Sequence, residues 1–293
     1  MSPIDRRHFL KTTAATLAAS ALATNPTQAG PAQSPPPWRK AFMLGGVSSG
    51  SISPHFELLK SVGFEGVELI SPNQLDRDEV LKARDKTGLV IHGVSGALHW
   101  KDRLSDPDPK VVERGMAAIR QEILDCKAYG GTTVLVVPGV VTPEVSYRDV
   151  MTRSQAAIKS LIPDAEKEGI ILAIEEVWNK FLLSSVEFAR YVDDFKSPWV
   201  KAYFDVGNVV EYGYPQEWIR ELGSRIVKIH IKEYKKDKRF GYELGEGEID
   251  WPGVRKALLD VKYEGWITAE VGYGDSARLK DVVRRMDKIL EMA

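Results

Sequence analysis

Four residues able to bind a cation stand at the ends of four successive apolar runs in the second half of this 293-residue chain. They are Glu175 closing ILAIE, Asp205 closing KAYFD, His230 in RIVKIHIKEY and Glu270 closing WITAE. Each run is apolar until its C-terminal end, as expected of a strand covered on both faces, and each then offers one oxygen or nitrogen ligand. Three carboxylates and one imidazole form a mostly oxygen donor set. Such a set suits manganese best, accommodates magnesium, cobalt or zinc, and disfavours a thiolate-type zinc site. Taken singly, each has a plainer use. A strand-end glutamate is often an ion-pair partner at a rim, and a lone buried histidine more often a hydrogen-bonded core residue than a ligand. Four equivalent placements on consecutive units argue for a shared purpose. Glu176 adjoins Glu175, and adjacent strand residues face opposite sides. Glu175 is the preferred ligand because it closes the apolar run, which sends Glu176 toward the helix layer or the rim.

Those ends share one face only if the strands are parallel and joined by helices. The mature sequence reads as eight strand-then-helix units. Strands are predicted at 41–44, 66–69, 89–93, 133–137, 171–175, 200–205, 226–231 and 265–270, and helices at 54–62, 76–87, 109–129, 148–168, 186–195, 216–222, 251–261 and 277–292. Gly88, Gly130 and Gly169 stand just past three of the helices, where a left-handed cap is wanted. Asp250 precedes Trp251-Pro252, a capping residue followed by a first-turn proline. Strict alternation predicts a parallel sheet, and eight units predict its closure into a (β/α)8 TIM barrel, whose active sites form at the C-terminal ends of the strands. An open doubly wound sheet is the alternative. The Gly-rich phosphate fingerprint of a dinucleotide-binding sheet is missing after the first strand, where the chain reads MLGGV.

Composition excludes several other classes. The chain is 43% hydrophobic and 28% charged with a net charge of −1, so no overall field recruits nucleic acid or an anionic membrane. Cys126 is the one cysteine, so no disulfide framework exists, and it reads as a buried thiol. The N-terminus is read apart from the fold. Arg6-Arg7 precede an uncharged run from Thr12 to Ala23 that is too short to span a bilayer, and Thr27-Gln28-Ala29 offers a signal-peptidase site. Residues 1–29 are therefore predicted to be a twin-arginine export signal cut near Ala29, residues 30–37 (GPAQSPPP) a proline-rich spacer, and residues 38–293 the barrel. The expected address is the periplasm, reached through the twin-arginine machinery after folding. No cysteine follows the cut, so no lipid anchor or stable membrane attachment is expected. Assembly into homo-oligomers is left open.

The stretches IEEVWNKF (174–181), YFDVGN (203–208), KIHIKE (228–233), GEGEIDW (245–251) and YEGWITAE (263–270) resemble the sugar-phosphate isomerase/epimerase family with its xylose isomerase-like TIM barrel. Within it they are most similar to L-ribulose/L-xylulose 5-phosphate 3-epimerases, with D-tagatose 3-epimerase and hydroxypyruvate isomerase as cousins. The likeness spans the mature domain and is strongest after residue 170. It implies that Glu175, Asp205, His230 and Glu270 hold the metal and that Glu175 and Glu270 also move protons through an enediolate. The expected activity is a metal-dependent sugar isomerase or epimerase. A keto-sugar or glycoside lyase or dehydratase on the same site is the alternative, and a non-catalytic carbohydrate-binding protein a third reading.

The sequence departs from the free-ketose cousins three positions after the aspartate, where Asn208 replaces histidine, as in the pentose-phosphate relatives. Asn208 and Lys232 are expected to contact the sugar. Lys235, Lys236, Lys238 and Arg239 read as a solvated basic loop. Sugar phosphates are cytoplasmic, so an exported enzyme is expected to act on a neutral or oxidised sugar instead. His99 and Trp100 in SGALHW, Trp178 after Glu175, and Glu246 between two glycines are further substrate-site candidates, each with a packing role as its plainer use.

Overall fold

The computed structural model describes residues 36–292. The predicted signal and nearly all of the spacer lie outside the described residues. Eight parallel strands close a barrel in sequence order, β1 pairing with both β2 and β8. They are β1 (Trp38–Leu44), β2 (Gly66–Ser71), β3 (Val90–Gly96), β4 (Thr133–Val136), β5 (Ile171–Glu175), β6 (Val200–Asp205), β7 (Ile226–Ile231) and β8 (Gly265–Ala269). The helices α1 (Ser53–Val62), α2 (Arg77–Thr87), α3 (Pro109–Tyr129), α4 (Tyr147–Glu168), α5 (Ser185–Asp193), α6 (Pro215–Leu222), α7 (Trp251–Asp260) and α8 (Ser276–Leu290) alternate with them. Alternation and closure follow the sequence reading; the open sheet is ruled out.

Several boundaries move. β1 begins at Trp38, whose indole donates to the Tyr263 carbonyl, because that bond ties the start of the chain to the segment before β8. β3 runs on to Gly96 because its last residues pair with Ser71 and its neighbours on β2. Glu270 stands just past β8. α5 stops at Asp193, short of the predicted 195, and Phe195 turns into the core instead. Asp76 and Asp250 cap α2 and α7 through their carboxylates, and Ser146 with Asp149 forms a capping box at the head of α4. Such caps contribute about 1 kcal/mol each.

The main apolar core lies between barrel and helices. A smaller cluster of Leu135, Val137, Ala173 and Tyr203 fills part of the barrel interior. Cys126 is buried, its thiol donating to the Thr133 carbonyl and pushed up to about 12 by burial, which suits an inert core thiol. The strand register does the positioning. Asp205 on β6 stands opposite His230 on β7, and Glu175 ends β5 beside Tyr203 of β6. A register shift between Val67 and Glu68 re-aims β2 so that the Glu68 carboxylate points into the barrel.

Candidate metal centre

Glu175, Asp205, His230 and Glu270 come together at the C-terminal mouth of the barrel. Each offers a ligand atom, and these atoms all lie within 4.8 Å of one another. Two ligands on opposite sides of a cation with bonds of about 2.1 Å stand about 4.2 Å apart, so the set suits a divalent ion after a small inward shift. Glu175 and His230 share a 2.9 Å contact from Oε1 to Nδ1, and Glu270 Oε2 stands 3.6 Å from the same nitrogen. All but Glu270 are fully sequestered; its side chain keeps about a third of its surface open to the cleft.

The charges are arranged around these oxygens. Burial works against charge on His230, but Glu68 and Glu175 on either side of the ring hold it well above its ordinary range. Burial raises the Glu175 carboxyl, opposed by His230. Burial raises Asp205 to about 7, against the pull of Lys232. Burial would also raise Glu270, but the Lys232 ammonium 2.6 Å away, together with His230, brings it to about 2. Lys232 also reaches Asp205 at 3.1 Å. Three carboxylates here share one ammonium and one imidazole, so a further cation would relieve the remaining charge. Asp205 Oδ2, sealed from solvent, makes no well-aligned hydrogen bond among the described residues. Its oxygen is of the hard type that a divalent ion takes.

Glu176 does not reach the rim. It is buried, and its Oε1 accepts from the Asp205 backbone N–H at 2.9 Å. It therefore fixes the end of β6 while Glu175 faces the centre, the alternation expected of neighbouring strand residues. Asn208 likewise acts locally: its amide donates to the Glu176 carbonyl and its backbone N–H to Asp205 Oδ1. Trp178 donates its indole N–H to the Asn208 carbonyl. The β5 and β6 loops are thus locked together behind two of the clustered carboxylates.

A cleft of about 560 Å³ opens over the site, lined in part by His99, Trp100, Trp178, Asn208, Lys232 and Phe240. Its volume falls within the roughly 300–1,000 Å³ of small-molecule sites. Glu246 is the exception among the sequence candidates. Its carboxylate pairs with Arg285 at 2.7 Å and is half exposed, so the seventh loop carries it to α8, outside this cleft. The basic loop is largely exposed; Lys235 and Lys238 lie over Tyr242, and Arg239 over Trp178.

Sequence reasoning missed the layer beneath. Glu68 is fully buried, accepts from the Tyr203 hydroxyl at 2.6 Å and stands 3.3 Å from His230 Nε2. His92 faces Thr268 at 3.1 Å, and Lys228 is buried nearby. The signal was present: each is the one ionisable residue in an otherwise apolar stretch of its strand, GVELIS, VIHGV and the start of IVKIHI. A charge inside a stave has to face a polar interior.

Residues 56–290 match the family described as the Xylose isomerase-like TIM barrel. Residues 3–23 match the signal sequence of the twin-arginine translocation pathway. Among the described residues no helix is long and apolar enough to cross a membrane. The Escherichia coli (strain K12) protein SgbU, provisionally named an L-ribulose-5-phosphate 3-epimerase, is 25% identical over 237 residues, covering 73% of this chain and 81% of its own. A D-psicose 3-epimerase of Enterocloster bolteae is 22% identical over 227 residues, covering 72% of this chain and 73% of its own. Of solved structures, an L-ribulose 3-epimerase superposes with a TM-score of 0.74 at 20% identity, covering 86% of this chain and 94% of its own. The IOLI protein with a bound zinc atom gives 0.74 at 15% identity, covering 86% and 98%. With a closed eight-stranded barrel and a match across residues 56–290, the chain belongs to the xylose isomerase-like TIM barrel family.

Proposed function

We propose that this protein is a divalent-metal-dependent sugar epimerase or isomerase, exported by the twin-arginine route to the periplasm. The observation that carries the reading is the gathering of Glu175, Asp205, His230 and Glu270 at one point of the barrel mouth. These four residues would hold the metal, with Mn2+ the best match to the donor set. When bound, it would polarise the carbonyl and the neighbouring hydroxyl of the sugar and so acidify the carbon-bound proton between them.

The protein's own groups supply the rest. Glu175 and Glu270 end β5 and β8, three strands apart, so their carboxylates approach a sugar in the cleft from different sides. One glutamate removes the proton and the other returns it on the opposite face, which inverts one stereocentre. If a single glutamate moves the proton along one face, the same enediolate gives an aldose–ketose isomerisation. Lys232 balances the charge of Asp205 and Glu270 and keeps Glu270 ionised, ready to accept a proton. Trp100 and Trp178 offer apolar walls.

The substrate class follows from charge. Among the described residues lining this cleft, Lys232 is the one lysine or arginine, and two carboxylates already hold it. In the adjoining cleft Arg278 is paired with Glu243. Both cations are already paired with carboxylates, which favours a neutral or keto sugar over a phosphorylated one. The relatives' names, L-ribulose-5-phosphate 3-epimerase for SgbU and D-psicose 3-epimerase for the Enterocloster protein, support epimerisation next to a ketone.

The test is solvent deuterium wash-in with a panel of neutral ketoses, keto-sugars and ketopentose phosphates, run alongside metal analysis of the folded protein. Label at the carbon next to the carbonyl supports the reading. An unsaturated or cleaved product would assign a lyase instead, and much faster turnover of the phosphates would overturn the neutral-sugar assignment.

A further inference from the structure

Behind the wall of the cleft lies a second polar pair that the metal chemistry does not use. Glu122 sits on the inner face of α3 and is buried; His99 sits on the loop after β3. Neither side chain makes a hydrogen bond to another protein group among the described residues. Glu122 Oε2 and His99 Nδ1 are both sealed from solvent. Buried polar atoms left without a partner are destabilising, so a shared partner between the two would be favoured.

Gly96 brings them together. A β-carbon built on Gly96 would stand 3.1 Å and 3.3 Å from the two Glu122 oxygens and 3.2 Å from His99 Nδ1, so all three atoms gather on the same side of Gly96. Beside it is a cavity of about 10 Å³, lined by Gly96, His99, Asp102 and Glu122 among others. That is room for a single water, and the lining supplies the polar partners a buried water needs. His99 and Gly96 are the two residues that line both this cavity and the substrate cleft. The imidazole is therefore a partition, with Nδ1 toward the cavity and Nε2 as its remaining polar atom.

We infer that Glu122 is a positioning residue that, through one water, holds His99 in the tautomer aiming an Nε2–H into the cleft as a hydrogen-bond donor to an oxygen of the bound sugar. The inference rests on the sugar reading above only for the identity of the acceptor. The direction of the chain follows from charge. Burial, and after it the nearby Asp125, holds the Glu122 carboxyl well above the usual range, so it carries a proton. Burial pushes His99 down to about 4, against the pull of Glu270, so the ring is neutral. Asp102, on the third side, is committed to Arg114 at 2.8 Å, and Asp125 to Arg77 and Ser71. A protonated carboxyl donates to the water, the water donates to Nδ1, and the ring proton is left on Nε2. A neutral imidazole that donates can stabilise a developing oxyanion without adding charge to the site.

The experiment is 15N NMR of the histidine rings in magnesium-loaded protein at neutral pH, with His99 assigned by loss of its signals in His99→Gln. The expected result is a proton on Nε2 and a bare Nδ1. Glu122→Gln should keep that tautomer, because the amide N–H2 can donate in place of the carboxyl. Glu122→Leu should shift the ring toward a mixture and lower kcat by roughly tenfold with little change in KM. Gly96→Ala, which crowds the bridging position, should act in the same direction. A proton on Nδ1 or a doubly protonated ring in the parent protein would overturn the inference at once, even if Glu122→Leu failed to fold. So would an unchanged tautomer in folded Glu122→Leu. The tautomer is read without substrate, so failure of the sugar panel leaves this test intact, and failure of this test leaves the sugar panel to stand alone.

Discussion

The two halves of this barrel have the same architecture and different burdens. The clustered carboxylates and imidazole stand at the ends of β5 to β8, and none of them belongs to β1 to β4. The helices differ in a matching way. α1 to α4 each end on a glycine in the left-handed conformation, whereas α5 and α7 end on Asp194 and Val261, α6 on a glycine outside the left-handed helical region, and α8 on a left-handed Glu291. The first half is closed off by local signals; the second gives its strand ends and loops to the site. The first half adds His99 and Trp100 to the wall of the cleft and supports the site from behind. Glu68 of β2 stands against His230, and Glu122 of α3 stands behind His99. Glu176 and Lys232, at the ends of β5 and β7, support the same carboxylates from within the second half.

The contrast can be broken by substitution. The largest effect is expected from the second half. Glu270→Gln should cut solvent deuterium exchange by roughly 10²–10⁴-fold, the usual contribution of a proton-transferring group, while metal analysis still finds the ion, since the amide oxygen coordinates weakly. Near-full exchange in this variant would remove Glu270 from the chemistry. Next comes Glu68→Gln, the first-half residue that stands against His230. Metal affinity, read by calorimetric titration with Mn2+, should fall about 10–100-fold, as when the partner of a metal-bound histidine is lost. An unchanged affinity would reduce the first half to scaffold.

Smaller effects separate fold from function. Gly130 caps α3 at φ 85°, a conformation that costs other residues about 1–2 kcal/mol. Gly130→Ala should lower stability by about that amount in urea unfolding and leave metal affinity where it was; a loss of affinity would show that the scaffold half tunes the site through its helices. The smallest effect should come from Glu246→Ala, which removes a half-exposed ion pair to Arg285. Turnover should be unchanged and stability should move by no more than about 0.5 kcal/mol. A marked rise in KM would bring Glu246 back to the substrate.

Much of this was legible in the sequence for a physical reason. A stave covered on both faces tolerates a charge only where it meets a polar centre, so Glu175, Asp205 and His230 stood out against their apolar runs. The caps at Gly88, Gly130, Gly169 and Asp250 were legible because capping is a property of a few adjacent residues. Glu246 misled because a glutamate between glycines looks the same whether its loop turns inward or outward. Glu68, His92 and Glu122 were passed over because their use depends on partners far along the chain. Tyr203 is 135 residues from Glu68.

By itself, then, the sequence determined the order of strands and helices, the export signal, and the run ends that carry carboxylates and an imidazole, all of which depend on neighbours along the chain. Only the closed barrel decided that Glu175 rather than Glu176 faces the centre, that Lys232 is spent on Asp205 and Glu270, and that His99 and Glu122 meet over the bare face of Gly96. Those are matters of register and of distance across the cylinder, set when eight strands close on one another and not by any stretch of residues alone.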